Sequence, residues 1–171
     1  MRARPSRNPL LFAIVASMDQ NIPTTGRVAG IDFGTKRIGV AICDSRRTLA
    51  SPYLNYDRRG PEGDAKWFRN FVAEEQVVLF AVGLPIHTSG HESQKSGEAR
   101  EFGKWLAETT RLPVIFVDER FTSKQAEEIL QAANLTSKRR KARRDMLAAQ
   151  MILQAFLESG PSPAEPGALD D

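Results

Sequence analysis

At 171 residues and 19.0 kDa the chain has room for one domain with short appendages, which excludes a multidomain machine. With 41% hydrophobic and 26% charged residues, 9 Phe and 2 Trp, it holds enough apolar material for a single core, which excludes wholesale disorder. The formal charge is only +3, but residues 138–144 (KRRKARR) carry six of the 24 Lys and Arg side chains, so one region must be strongly electropositive and suited to an anionic partner.

Residues 1–26 begin with Arg2, Arg4 and Arg7 and then the apolar run Leu10 to Ala16, which copies the layout of a signal peptide but is too short to span a bilayer. The expectation is a disordered or wrongly annotated extension, with Met18 as the true start. From Arg27 the pattern becomes regular. Val28 to Phe33 and Arg37 to Cys43 read as β-strands joined by a compact turn at Gly34-Thr35-Lys36, and Thr48 to Tyr56 supplies a third strand. Between Glu62 and Glu75, Trp67, Phe68, Phe71 and Val72 recur at helical spacing, so a helix covers the sheet. Val77 to Val82 is continuously apolar and stops at Gly83-Leu84-Pro85, as a parallel strand buried on both faces does.

A helix over Glu92 to Thr110, a short strand over Pro113 to Val117 and an amphipathic stretch over Ser123 to Ala133 follow. The last helix is expected from about Arg143 to Glu158, ended by Gly160-Pro161, with a disordered Ser/Pro/Gly/Ala-rich tail over 159–171. One domain over 27–158 therefore has three antiparallel-prone strands followed by alternating helices and parallel strands, an α/β stack. The single cysteine, Cys43, permits no intramolecular disulfide, fits a reducing cytoplasm, and reads as a small buried filler. No transmembrane span is evident.

Three sets of acids fall at special positions on this scaffold. Asp32 interrupts the apolar first strand, where an ionised carboxylate needs a metal, hydrogen bonds or a basic partner. Asp118 and Glu119 close the strand ending at Val117, at the end where open α/β sheets place ligands. Asp145 precedes Ala148, Ala149 and Ile152 at helical spacing and so shares their sheet-facing stripe. Carboxylates converging without His or Cys make a hard-oxygen site for Mg²⁺ or Mn²⁺ rather than Zn²⁺, and such ions serve phosphodiester hydrolysis. Each acid also has a plainer reading: Asp32 as a turn former at Gly34, Asp118 and Glu119 as partners of Arg120 or Lys124, and Asp145 as a first-turn helix acid.

The segments Asp32-Phe33-Gly34-Thr35-Lys36-Arg37-Ile38-Gly39-Val40-Ala41, Val82-Gly83-Leu84-Pro85, Asp118-Glu119-Arg120-Phe121-Thr122-Ser123, and Asp145 through Gln154 resemble, in order, the four motif blocks of the YqgF (RuvX-like) family. The resemblance spans roughly Arg27 to Glu158. It implies an RNase H-like fold with a mixed five-stranded sheet of order 3-2-1-4-5 flanked by helices. It also implies a Mg²⁺-dependent nuclease that processes the 5′ end of pre-16S ribosomal RNA or cleaves Holliday junctions. By the same resemblance Asp32, Glu119 and Asp145 are the catalytic acids and Asp118 a possible fourth metal ligand. One departure from the wider RNase H pattern is that the strand after the first helix ends in Gly83-Leu84-Pro85 without an acid. The middle carboxylate must then come from the fifth strand, two spacings or roughly 10 Å away.

For the substrate, the run Lys138, Arg139, Arg140, Lys141, Arg143 and Arg144 reads as a phosphate-binding surface just ahead of the helix that carries Asp145. Lys36, Arg37 and Arg120 are further candidates to pair with phosphates or with the acids. His87 and His91 sit across a glycine and read as loop residues. Asp32-Phe33-Gly34 matches a kinase tripeptide, but the other kinase motifs and a Walker A loop are missing. An actin-like ATPase would need a second domain that 171 residues do not hold. The expected partner is structured RNA, such as a ribosomal precursor, or branched DNA, with no membrane. A non-catalytic nucleic-acid-binding assembly factor is the competing class, and oligomeric state is left open.

Overall fold

The computed structural model describes residues 14–15, 22–85, 93–118 and 136–159. Six strands, β1 (Ile14–Val15), β2 (Arg27–Asp32), β3 (Arg37–Cys43), β4 (Ala50–Asp57), β5 (Val77–Leu84) and β6 (Val114–Asp118), form one mixed sheet in the order β1-β6-β5-β2-β3-β4. Without β1 this is the expected five-stranded 3-2-1-4-5 arrangement of the RNase H-like fold. The sixth strand was not foreseen: Ile14 and Val15 pair antiparallel with Phe116 and Ile115 along the β6 edge. They belong to the apolar run that imitates a signal peptide, and a short strand laid there blunts an otherwise open parallel edge. Of the other residues expected to be disordered, 1–13, 16–21 and 160–171 lie outside those described, as does the amphipathic stretch Ser123 to Ala133, whereas 22–26 are placed, with Ile22 packed against the core and the Pro23, Thr25 and Gly26 carbonyls accepting from Arg47, and Ser159 closes the last helix.

Among the described residues three helices flank the sheet: α1 (Gly60–Glu75), α2 (Gln94–Thr110) and α3 (Ser137–Ser159). Side chains alternate along each strand, and the alternation sorts the core into two layers. Ala29, Ile31, Phe80, Val82, Val114 and Phe116 pack against Phe68 and Phe71 of α1 and Phe102 and Leu106 of α2. Val28, Ala41, Leu79, Ile115 and Val117 pack against Ala149, Ile152, Leu153 and Phe156 of α3. β5 is buried along nearly its whole length because helices cover both of its faces, which explains its continuous apolar run. Cys43 is 2% exposed and its Sγ accepts a hydrogen bond from the Val28 amide, as a small buried filler would. No helix among the described residues is long and apolar enough to cross a membrane.

The last helix begins earlier than its apolar stripe suggested, at Ser137 rather than near Arg143. Lys and Arg are good helix formers, so a cationic run carries no helix-stopping signal. Thr136 caps the new start, its Oγ1 accepting from the Arg139 amide at 3.4 Å and its carbonyl from the Arg140 amide at 2.8 Å. The basic run is therefore the first two turns of α3, not a loop leading to it.

Candidate active site

β2, β4, β5 and β6 run in one direction, since β2 is parallel to β5 and β5 to β6, while β4 is antiparallel to β3 and β3 to β2. Their carboxyl ends, at Asp32, Asp57, Leu84 and Asp118, thus share one edge of the sheet, the edge at which α/β sheets gather ligands. α3 runs the opposite way over this sheet. Its residue Asp145 lies over Gly39, Ala149 and Leu153 lie over Gly30, and Gln150 and Gln154 reach the backbone of Ala50. The amino-terminal turns of α3 therefore lie toward the same edge as Asp32.

Two glycines make this approach possible. A Cβ on Gly39 would overlap the Asp145 carbonyl, and one on Gly30 would come within 2.6 Å of the Ala149 carbonyl oxygen. Glycine inside a strand marks a close approach of another backbone, and that is the signal through which sequence reading finds these positions. Gly39 is also the register partner of Asp32 on β2 and of Asn55 on β4, so Asp145 is seated above the middle of the row Asp32–Gly39–Asn55. Asp32 has the parity of Val28 and Gly30, the residues that face α3. The fold brings Asp32 and Asp145, read from the sequence as site acids, to one place.

Asn55 was not foreseen as a site residue. Its Nδ2 donates to the Ala142 carbonyl at 3.3 Å and to Asp145 Oδ2 at 3.4 Å, while its Oδ1 is buried without a hydrogen-bond partner. The only available signal was an asparagine within a strand, a residue type that sheets disfavour.

Asp118 ends β6 as expected, opposite Leu84 of β5. Strand parity groups it with Val114 and Phe116, which pack on the α1 and α2 side, and so on the other face from Asp32. By the same parity Asp32 goes with Val28 and Gly30, on the α3 side. Glu119 and Arg120, with His87 and His91, lie outside the described residues. Among the described residues no three acids, histidines or cysteines form a metal-binding group.

Cations surround the edge. Lys36 is exposed in the β2–β3 turn and Arg37 half-buried at the start of β3, in register with Asp57. Arg58 follows β4: its amide donates to the Lys36 carbonyl, its Nε to Asp64 Oδ2 at 3.1 Å, and its guanidinium lies 5.4 Å above the Phe33 ring. It thereby braces the turn that follows Asp32. In α3, Lys138, Arg139, Lys141, Arg143 and Arg144 are exposed and Arg140 is half-buried.

Asp32 and Asp145, placed on either side of the Gly39 contact, offer hard carboxylate oxygens of the kind that suit a small divalent cation such as Mg²⁺ or Mn²⁺ rather than Zn²⁺.

Comparison with known proteins agrees with this architecture. A protein of Rhodopirellula baltica named "Putative pre-16S rRNA nuclease" is 46% identical over 141 residues, 82% of each chain. One of the same name from Syntrophomonas wolfei is 40% identical over 134 residues, covering 78% of this chain and 95% of that one. The solved structure of the fowlpox virus resolvase with its Holliday junction DNA substrate superposes with a TM-score of 0.51 at 11% identity, over 78% of this chain and 97% of that one, which establishes a common fold. The family model described as "RuvX: Holliday junction resolvase" matches residues 26–159, and the chain belongs to the RuvX family of nucleases.

Proposed function

We propose that the enzyme hydrolyses phosphodiester bonds in a precursor of 16S ribosomal RNA, as a cytoplasmic Mg²⁺-dependent nuclease whose catalytic acids are Asp32, Glu119 and Asp145. The observation that carries this reading is the seating of Asp145 over Gly39, the register partner of Asp32, at the carboxyl edge of the sheet. Glu119 enters from the sequence, as the residue directly after Asp118 at the end of β6. Asp118, at the carboxyl end of β6, is a further candidate ligand.

Two neighbouring carboxylates repel each other and repel a phosphate, and a bound divalent cation would relieve both repulsions. Asp32 and Asp145 would hold that ion, which supplies Lewis-acid polarisation of a phosphoryl oxygen and neutralises developing charge. The remaining residues bind and orient. Lys36 and Arg37 lie on the turn beside Asp32, and the cationic turns of α3 precede Asp145 on the same helix. Arg120, beside Glu119 in sequence, belongs to the same group of phosphate partners. Lys and Arg in this arrangement fix backbone register and carry no base preference.

The test is cleavage of a labelled pre-16S leader in Mg²⁺ by the wild-type protein, Asp32→Asn and Asp145→Asn. Loss of cleavage by 100-fold or more in both variants is expected. Equal cleavage by all three proteins sinks the assignment. The description of the family as a Holliday junction resolvase favours a second reading, a four-way DNA junction as substrate, and a junction tested in parallel decides between them. Binding without turnover of either substrate would identify a non-catalytic assembly factor instead.

A further inference from the structure

We propose that Asn55 is a positioning residue: its carboxamide orients the Asp145 carboxylate for a divalent cation shared with Asp32. This rests on the reading that those two acids hold the ion. The row Asp32–Gly39–Asn55 crosses three adjacent strands, and the backbone of Asp145 descends onto its central glycine, so residue 145 sits with Asp32 on the strand to one side and the Asn55 amide, which its carboxylate meets, on the strand to the other. The end of the amide that meets the acid is set by its second contact. A carbonyl only accepts hydrogen bonds, so Nδ2 faces Ala142 O at 3.3 Å, and the 3.4 Å contact to Asp145 Oδ2 is a donation. Oδ2 is held by this bond, which fixes the orientation of the carboxylate that would serve the ion.

Two further features favour a role in the site over a role in folding. The donor is neutral, so it orients the carboxylate without cancelling the charge that the cation needs, as hydrogen-bonding partners behind metal ligands generally do. The amide also brings a cost: its Oδ1 is one of two buried side-chain polar atoms without a partner among the described residues, the other being Arg140 Nε. A buried acceptor left unpaired destabilises a fold, and an apolar residue of similar shape would remove that penalty. Position 55 thus holds a residue that packing alone does not favour.

The experiment titrates Mn²⁺ into the full chain by calorimetry and records the thermal midpoint in EDTA, for wild type, Asn55→Leu, Asn55→Ala and Asp145→Asn. Wild type is expected to bind Mn²⁺ and Asp145→Asn to lose it. Asn55→Leu should weaken binding about 10- to 100-fold, the usual effect of removing such a partner, with an EDTA midpoint at or above that of wild type. If Asn55→Leu fails to fold, Asn55→Ala is read by the same criterion. A change in Mn²⁺ affinity smaller than tenfold overturns the inference, including the case in which only the EDTA midpoint falls, because that is the mark of a purely structural residue. Absence of Mn²⁺ binding in wild type, or unchanged binding in Asp145→Asn, overturns the shared-cation reading itself. That failure is distinguishable because it arises in proteins that keep Asn55.

Discussion

A methyl group at position 39 would disturb the seating of Asp145 beside Asp32. Gly39 gives α3 room to seat its backbone on β3, and the added Cβ of Gly39→Ala would meet the backbone carbonyl of Asp145 rather than a movable side-chain tip. The helix must shift, and overpacking of this kind costs about 1–3 kcal/mol. Gly97 supplies the control, because a Cβ there meets nothing within 4 Å. Gly97→Ala in α2 should stabilise by about 0.5–1 kcal/mol through the helix preference of alanine. Urea denaturation of both variants checks the signs, and Gly39→Ala should in addition lose Mn²⁺ affinity while Gly97→Ala keeps it. At this scale the acids were legible in the sequence, since a carboxylate in an apolar strand and another on an apolar helix stripe are both anomalies. What seats them was not legible: Gly39 and Asn55 matter through partners in α3, about a hundred positions away in the chain, and no local pattern records that pairing. Parity, which sets Asp118 apart from Asp32, needed both core layers to be known.

Among the elements, the start of α1 is tied to the site by a buried acid. Asp64, fully buried, accepts from the Tyr56 hydroxyl at 2.9 Å, from Arg58 Nε at 3.1 Å and from the Arg59 amide at 2.8 Å. It joins α1 to the segment after β4, and through Arg58 to Phe33 and the turn beyond Asp32. Asp64→Ala would leave the Tyr56 hydroxyl unpaired and release Arg58, which should cost about 3 kcal/mol by urea titration. The same cluster predicts an alkaline limit. Burial, and then the hydrogen bond to Asp64, push the Tyr56 phenol up to about 12, against about 10 in the unfolded chain. The folded state retains this proton, so the contribution is intact below pH 10 and declines as pH rises toward 12. Stability measured between pH 9 and 12 should fall less steeply in Tyr56→Phe than in wild type; equal slopes would show that Tyr56 does not set the limit. Element positions were largely readable because strands and helices here bury one face or both in simple periods. The exception was the start of α3, where charge was taken for a loop, although straight-chain cations favour a helix.

For the whole molecule, the cationic turns open a helix whose first turn has no acid. The macrodipole places its positive end among these side chains, so the arrangement opposes the usual charge preference of a helix start. Such a helix end is costly in isolation and favourable beside a polyanion, and it lies on the same side of the sheet and toward the same edge as Asp32 and Asp145. On the proposed function, binding and chemistry are separable along one helix: exposed cations in its first two turns would hold the strand, and the acid after them would act on it. Replacing Lys138, Arg139, Lys141 and Arg143 by glutamine removes four exposed charges while leaving the Asp145 carboxylate in place. If each contacts a phosphate, the slope of log affinity against log salt should become shallower by about 3, the sum of four contributions of about 0.7 to 0.9. Fluorescence anisotropy with a labelled RNA across a series of KCl concentrations measures that slope, and Mn²⁺ titration of the same protein should match wild type. An unchanged slope would remove these turns from the nucleic-acid surface, and lost Mn²⁺ affinity would mean that the two halves of α3 do not act independently.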